Sequence, residues 1–292
     1  MAFRGDPWIF ERHTYPEDPY FDMSTTIIRS YGRPGFVIAA DGRSMTTDDP
    51  PITNNYTQKI FDLTSGDRQI ACSIMGASVI VADGSREIIL DFGLAILRAA
   101  EAISGRRCRN LAGYATRLAR PINALLAELK SNGTLIEYPS FPTHFRPYGS
   151  AIASVYFDGF FEGVPSRAGV TFSHKNQKLL EPDVITELVV PAKRDIIGPH
   201  QITQLVFHTT DPRFSAYRLN RTHSGSLEDE VEACKKYILA CSDPEALRIE
   251  PKCACIGGHV HAATITPDAG FRWSIPPMQN SSQPSSGVMK PE

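Results

Sequence analysis

The chain has 292 residues, of which 42% are hydrophobic and 21% charged, and its formal net charge at pH 7 is −2. This balance, with no basic run, argues against nucleic-acid binding, and the lack of an 18-residue apolar run argues against a membrane span. Six cysteines in apolar contexts favour a reducing compartment, and residues 1–23 lack the apolar core of a secretory signal. We therefore expect a cytoplasmic protein of one large domain or two small ones.

Residues 1–24 are predicted to be an extension, because they contain three prolines and no periodic pattern. Their aromatic content argues against a purely disordered tail. Two interpretations follow from the sequence. The segment is either a propeptide whose removal frees Thr25, or a permanent arm that packs on a neighbour.

The next part of the chain is predicted to hold strands and then two helices. β-rich runs predict strands at 25–31, 35–43, 59–64 and 69–75. A Gly/Pro turn joins the first two runs into a hairpin. Apolar residues at helical spacing, from Ile88 to Ile103 and from Leu111 to Leu129, predict the helices. Pro121 is expected to kink the second helix.

The rest of the chain alternates between strand-like and helical patterns. Residues 202–207 have no pattern that decides their state, and Ser226 is placed to cap a helix that ends at Cys241. The remaining predicted elements are an ordered aromatic loop at 138–148, strands at 150–161, 167–174, 184–190, 258–266 and 271–275, and a low-complexity tail at 276–292.

This order of elements predicts an α+β fold. Helices that come in separated groups between antiparallel strands suit two packed antiparallel sheets with helices on both outer faces, a four-layer αββα sandwich. The predicted domain runs from 25 to 275.

Three polar residues stand at meaningful positions in the predicted strands. Thr25 opens the first strand, Asp41 ends the second in the sequence Ala-Ala-Asp-Gly-Arg, and Lys59 opens the third. A threonine hydroxyl is a poor nucleophile and needs an adjacent base. The α-amine of an N-terminal threonine, with a pKa of about 7.7–8.0, can serve as that base. A nearby lysine lowers the pKa of both groups, and a buried aspartate holds the lysine in place.

This arrangement resembles the start of the proteasome β-subunit family, the threonine-type N-terminal-nucleophile hydrolases. The resemblance implies that Thr25 is the nucleophile, that Asp41 and Lys59 support it, and that the N–H of Gly76 donates to the oxyanion. It also implies a threonine protease that needs no cofactor and acts on peptide or protein substrates. The implied assembly is a homo-oligomeric ring with an ATP-dependent unfoldase as partner.

The later catalytic-support motifs of that family are altered in this chain. Its Asp-x-x-Ser-Gly-Gly motif aligns with Cys253 to Gly258, so Cys253 replaces the aspartate and Ile256 the serine. Its Gly-Ser-Gly turn aligns with residues 198–201, which contain no serine. Ser24 also stands where the family usually has glycine before the nucleophile. We expect the loss of the support groups to slow catalysis, whereas Ser24 leaves open whether the bond before Thr25 is cleaved.

The departures keep other interpretations open. The main rival is a catalytically silent, proteasome-like structural subunit that keeps its extension. A third is a non-proteolytic amide or peptide-transfer reaction on the same fold. A translation start at Met23, followed by removal of that methionine, would instead expose Ser24.

Cys253, Cys255, His259 and His261 are all residue types that bind metals. In one continuous strand, however, the first and last of them would lie about 26 Å apart, too far for one ion unless Gly257-Gly258 bends the chain back. We therefore expect structural residues near the sheet core and no metal site.

Overall fold

The structure is a computed structural model. It describes residues 25–45, 53–81, 88–135, 150–176, 178–208, 211–219 and 225–278. The predicted extension at 1–24, the predicted loop at 138–148 and residues 279–292 of the predicted tail lie outside these described residues.

The described residues form short and long strands, helices and two 3₁₀ turns. The strands are β1 (Ile27–Gly32), β2 (Gly35–Ala40), β3 (Ser44–Met45), β4 (Thr53–Asn54), β5 (Ile60–Asp62), β6 (Arg68–Gly76), β7 (Val79–Val81), β8 (Ile88–Asp91), β9 (Ser150–Phe161), β10 (Val164–Lys175), β11 (Lys178–Leu179), β12 (Asp183–Glu187), β13 (Arg194–Ile197), β14 (His261–Thr266) and β15 (Gly270–Ile275). The helices are α1 (Phe92–Ala102), α2 (Leu111–Ser131), α3 (His200–His208), α4 (Leu227–Cys241) and α5 (Pro244–Ile249), and the 3₁₀ turns are Pro212–Tyr217 and Pro251–Cys255.

Two larger antiparallel sheets organise these elements. The first has the strand order β13-β1-β2-β14-β15. The second has the order β11-β10-β9-β6-β5, with β12 also paired to β10. The prediction of a mixed chain of antiparallel sheets and helices is confirmed.

Strand β2 shows how the apolar residues are shared between cores. Alternate side chains of a strand point to opposite faces, and every residue of β2 is buried. Phe36 and Ile38 join an apolar cluster that also contains Ile60 and Phe160 of the other sheet. The opposite face of β2 belongs to a cluster with residues of α3 and α4. Helices α1 and α2 pack in a third cluster with residues of β6, β9 and β10.

The helices follow the sequence pattern, with differences at their ends. The predicted helix before Cys241 is confirmed as α4, and the hydroxyl of Ser226 accepts the N–H of Asp229. The undecided run at 202–207 is helical and lies in α3. The first predicted helix starts later than expected, because the carboxylate of Asp91 accepts the N–H of Leu94 and caps α1. Ile88 therefore lies in β8 and not on that helix.

Two strands are also shorter than the sequence predicts. The second strand was expected to reach residue 43, but β2 ends at Ala40 and the chain turns around the carboxylate of Asp41. The strand expected from residue 258 begins at His261. The backbone before it has a positive φ at Gly258, and the N–H of His259 donates to the carbonyl of Asn55 at 2.8 Å.

Candidate active site

Strand pairing brings Thr25 and Asp41 together. Because β1 and β2 are antiparallel neighbours, the residues before β1 lie beside those after β2. The N–H of Asp41 donates to the carbonyl of Thr26 at 3.2 Å. In return, the N–H of Thr26 donates to Oδ1 of Asp41 at 2.9 Å. This closed pair of bonds fixes the carboxylate next to the start of β1.

Lys59 reaches the same place from the other sheet, immediately before β5. Its Nζ lies 2.8 Å from Oδ1 of Asp41 and 3.3 Å from Oγ1 of Thr25. Thr25 is 5% exposed, Asp41 is fully buried and Lys59 is 3% exposed. The three residues singled out in the sequence thus form one buried contact between the sheets.

The Asp41 carboxylate is held by several donors. Oδ1 accepts from Thr26 and Lys59, while Oδ2 accepts the backbone N–H groups of Arg43 and Gly257, each at 3.2 Å. Hydrogen bonds in which one partner is charged are stronger than neutral ones. Removing one partner of a buried ion pair commonly destabilises a protein by about 3–5 kcal/mol, because the other charge is left uncompensated. The loss of either Asp41 or Lys59 should therefore destabilise the protein, because the charge of the other would remain buried without a partner.

Gly76 lies at the end of β6, on the strand that pairs with β5. The N–H of Ile74 donates to the carbonyl of Lys59 at 2.9 Å. Since alternate residues of an antiparallel strand direct their N–H groups to the same edge, Gly76 has its N–H on the edge that faces Lys59. Its φ is +90°, and a Cβ there would lie 2.8 Å from the carbonyl oxygen of Ile152. Only glycine fits this position without strain.

Arg43 ties the later part of the chain to the site. Its Nε donates to the side chain of Asn55 at 3.0 Å, and its Nη1 donates to the carbonyls of Ala254 and Ile256 at 3.1 Å. The sequence identified Arg43 only as part of the Ala-Ala-Asp-Gly-Arg motif around Asp41. Its partners could not be identified, because two of them lie more than 200 residues away.

His261 is a site residue that the sequence reasoning missed. It was expected to be a structural histidine near the sheet core, yet its Nε2 accepts the backbone N–H of Lys59 at 3.0 Å. The ring is 1% exposed. Burial, followed by the charge of Lys59, lowers the pKa of His261 to about 3. The neutral ring is therefore a permanent acceptor that holds the backbone of Lys59. No sequence signal links two residues 202 positions apart.

The altered motif at 253–258 contributes backbone groups to the site. Cys253 lies in the second 3₁₀ turn, and burial, followed by Glu250, raises the pKa of its thiol to about 12. The carbonyl of Ile256 binds Arg43, and the N–H of Gly257 binds Asp41. The turn at 198–201 also approaches closely, since a Cβ on Gly198 would lie 2.9 Å from Oγ1 of Thr26.

The two histidines considered as metal ligands have other contacts. Nε2 of His259 lies 2.8 Å from the carbonyl oxygen of Pro276, while His261 binds Lys59. Among the described residues, no group of three or more His, Cys, Asp or Glu is placed to hold a metal ion. In that same part of the chain no helix has the length and apolar character needed to cross a membrane.

Comparison with known proteins gave structural neighbours only. No protein-family model and no curated protein matches the chain. The solved structures similar to it include the Anbu complex of Pseudomonas aeruginosa in a helical assembly, with 11% identity, 88% of this chain and 87% of that chain covered, and a TM-score of 0.49. Anbu (ancestral beta-subunit) of Yersinia bercovieri has 11% identity, coverage of 85% and 86%, and a TM-score of 0.44. An Anbu Gly-1 mutant from Hyphomicrobium sp. strain MC1 has 13% identity, coverage of 88% and 89%, and a TM-score of 0.47.

These neighbours correct the family predicted from the sequence. Anbu proteins have a proteasome-like fold but form a family distinct from the proteasome β-subunits, so the predicted family is wrong. The resemblance depended on Thr25, Asp41 and Lys59, while the sequence at 253–258 already departed from the proteasome pattern. At TM-scores below 0.5 the likeness does not define an activity. The functional conclusion therefore depends on the site itself.

Proposed function

We propose that this chain is a threonine-type amidohydrolase that cleaves peptide bonds, with Thr25 as its N-terminal nucleophile after residues 1–24 have been removed. One observation carries the proposal: Lys59 Nζ lies 3.3 Å from Oγ1 of Thr25 and 2.8 Å from Asp41, in a buried site. Lys59 comes from one sheet and the other two residues from the opposite sheet. A purely structural ion pair has no need to include a threonine hydroxyl at the start of a strand.

The charges support nucleophilic attack by Thr25. A lysine ammonium at 3.3 Å favours the deprotonated form of the hydroxyl and the neutral form of a neighbouring amine. Asp41 keeps that ammonium in place and compensates its charge. His261 and Ile74 hold the backbone of Lys59 from two sides, through its N–H and its carbonyl. Such preorganisation of the reacting groups lowers the barrier without further rearrangement.

In the proposed reaction the Thr25 amine serves as the base. Oγ1 bonds to the substrate carbonyl carbon while its proton passes to the α-amine. The N–H of Gly76, on the strand edge facing Lys59, donates to the oxyanion. The peptide C–N bond then breaks, and the leaving amine takes the proton from the α-amine. Water adds to the resulting ester, and its proton again passes through the amine as the acid product leaves.

We propose further that residues 25–275 form one αββα domain, with 1–24 as an extension and 276–292 as a tail. The apolar cluster shared by both sheets, with a helix-containing cluster on each opposite face, supports the four layers. We also propose a cytoplasmic homo-oligomer that receives peptide or unfolded protein, with an ATP-dependent unfoldase as the supplier of long substrates.

The proposal is tested with a peptide β-lactone, which acylates a nucleophilic hydroxyl and adds its own mass. We expect one adduct per chain on Thr25 and cleavage of fluorogenic peptides. Thr25→Ala should abolish both, and Thr25→Ser, which keeps a hydroxyl, should retain both. An adduct at another residue, or cleavage by the Thr25→Ala variant, would contradict the proposal.

A catalytically silent structural subunit is the second candidate. It is favoured by Ser24, since an uncleaved Ser24-Thr25 bond leaves Thr25 with an amide nitrogen that cannot act as a base. A chain that keeps residues 1–24 in its mature assembly, and gives no adduct, would support this candidate.

A further inference from the structure

The outer surface of α1 and α2, together with β8, forms a groove with a volume of about 1120 Å³. Large apolar side chains on this surface are exposed, among them Ile88 (49%), Leu94 (44%) and Leu125 (43%). The groove lies on the helices that cover the six-stranded sheet. An apolar surface of this kind commonly marks a place where another chain segment binds.

The rim of the groove is basic. Arg98, Arg106, Arg117 and Arg120 line it, whereas its acidic lining residues are Asp91 and Glu128, which leaves a net charge of 4 − 2 = +2. Asp91 is already used to cap α1. Within the described part of the chain, none of the four arginines forms an ion pair. The groove therefore suits an occupant that is both apolar and acidic.

We propose that this groove binds the chain's own N-terminal segment, residues 1–24. The segment combines five acidic residues with two arginines, a net charge of 2 − 5 = −3 with histidine neutral. It also carries six aromatic side chains: Phe3, Trp8, Phe10, Tyr15, Tyr20 and Phe21. Its composition thus complements both the floor and the rim of the groove.

A second aromatic segment of the chain fits less well. Residues 136–149 contain four aromatic residues, but their single acid, Glu137, is balanced by Arg146, so their net charge is zero. They offer one carboxylate to the four arginines of the groove, whereas residues 1–24 offer five. The charge difference between the two segments therefore selects residues 1–24.

The connection from Thr25 to the groove is short. Lys59, beside Thr25, binds Ile74 through its carbonyl, and four residues later the carbonyl of Ser78 accepts the N–H of Phe92 at 3.0 Å. Phe92 is the first residue of α1, and the four residues from Ile74 to Ser78 span at most about 14 Å of chain between the backbone of Lys59 and this end of the groove. Twenty-four extended residues span up to about 80 Å, while the 21 residues of α2 span about 32 Å. The segment of the same chain can therefore lie along the groove.

Trp8 provides a direct probe of this contact, because the chain has only two tryptophans and the other is Trp273. The test uses the full chain carrying Thr25→Ala, which cannot cleave itself with a Thr25 hydroxyl, and the intact mass establishes that residues 1–24 are still attached. Trp273→Phe in the same chain leaves Trp8 as the only tryptophan. Acrylamide quenching then measures the exposure of Trp8.

We expect Trp8 to be shielded, and Leu125→Glu or Leu94→Glu to increase its quenching constant severalfold. Leu239→Glu is the matched control, since Leu239 is 42% exposed on α4, outside the groove, and should leave Trp8 shielded. Arg117→Glu with Arg120→Glu should release Trp8 as well, and added salt should weaken the contact. Circular dichroism confirms that each variant is folded.

Three results would overturn the proposal. Trp8 could be as accessible as free tryptophan in the parent chain, or remain shielded in all the groove variants. The third result comes from cross-linking a mixture of isotopically light and heavy chains. Cross-links between the peptide that contains Trp8 and α2 could be found only between different copies of the chain. That last result would assign the groove to a neighbouring copy and contradict binding within one chain.

Discussion

The two regions that build the candidate site use different chemistry. Residues 25–76 provide the side chains of the proposed mechanism, a hydroxyl, a carboxylate and an ammonium that meet between the sheets. Residues 194–258 provide backbone groups, such as the N–H of Gly257 and the carbonyl of Ile256, both linked to the first region through Asp41 and Arg43. As the sequence already indicated, Cys253 and Ile256 stand where the proteasome β-subunit motif has aspartate and serine.

This difference shows that the segment around Gly257 contacts the candidate site through its backbone. A backbone N–H binds Asp41 whatever side chain its residue carries, provided that the chain can approach closely. The constraint on the later region is therefore conformational, and it falls on Gly257 and Gly258 more than on Cys253. Variants in the two regions should have correspondingly different effects.

The largest effect is expected in the first region, for Lys59→Met. Loss of the ammonium should lower peptide cleavage by about 10²–10⁴-fold. It should also lower the free energy of unfolding by about 3–5 kcal/mol, because the buried Asp41 loses its partner. The double variant Asp41→Asn, Lys59→Met should recover much of the stability and none of the activity. Urea unfolding and peptidase assays measure both, and full activity in the single variant would remove Lys59 from the mechanism.

His261, which binds the backbone of Lys59 in the first region, should make the free energy of unfolding depend on pH. Its pKa is about 3 when folded, against about 6.5 when unfolded. Between these values the unfolded chain binds more protons, so the free energy of unfolding should fall as the pH falls below about 6.5, by up to about 1.4 kcal/mol per pH unit. This contribution is complete above pH 6.5.

His261→Asn, which keeps an acceptor for the N–H of Lys59, should remove that part of the pH dependence. The measurement is the difference in unfolding free energy between variant and parent from pH 7 to pH 4.5. A difference that does not change with pH would show that His261 titrates normally.

A smaller effect is expected for an alanine substitution in the later region, where the backbone at Gly258 lies close to another segment of the chain. Gly258 and Gly163 both have a left-handed φ, +71° and +76°. A Cβ on Gly258 would lie 2.4 Å from the carbonyl oxygen of Asn55, whereas a Cβ on Gly163 would have no neighbour within 4 Å. Gly163→Ala should cost about 1–2 kcal/mol from backbone strain alone. Gly258→Ala should cost more and should also reduce activity, as measured by thermal unfolding and peptidase assays; equal costs would contradict the close approach.

The smallest effect should be that of Cys253→Ala. The protonated thiol contributes no charge to the site, so activity should remain within about twofold and stability should fall by about 1 kcal/mol from the lost packing. Steady-state kinetics with a peptide substrate provides the check. A hundredfold loss would mean that the later region acts through a side chain after all.

The sequence predicted most of what depends on local pattern. The strand pair around Gly32, the apolar stripes of α1, α2 and α4, and the Ser226 cap are all readable from residue spacing. The position of Lys59 next to Thr25 and Asp41 was predicted only through a family resemblance whose family assignment was wrong.

The rest required contacts between distant parts of the chain. His261 accepts a hydrogen bond from a backbone N–H. Because every residue except proline has this group, the contact cannot be inferred from the residue type of the partner. The helix α3 was undecided because its nine residues are too few to show a clear period, although Ile202 and Val206 are buried at a spacing of about one turn. The bend at Gly257 and Gly258 depends on space beside Arg43 and Asn55, which only the folded chain defines.

The central claim is that Thr25 acts as an N-terminal nucleophile. Its most direct test is the intact mass of the purified protein, combined with N-terminal sequencing of the same sample and of the Thr25→Ala variant. The account predicts a mature chain that begins at Thr25 in the parent and a chain that keeps residues 1–24 in the variant. A parent chain that still begins at Met1 or Ala2 would contradict it, because Thr25 would then have no free amine beside its hydroxyl.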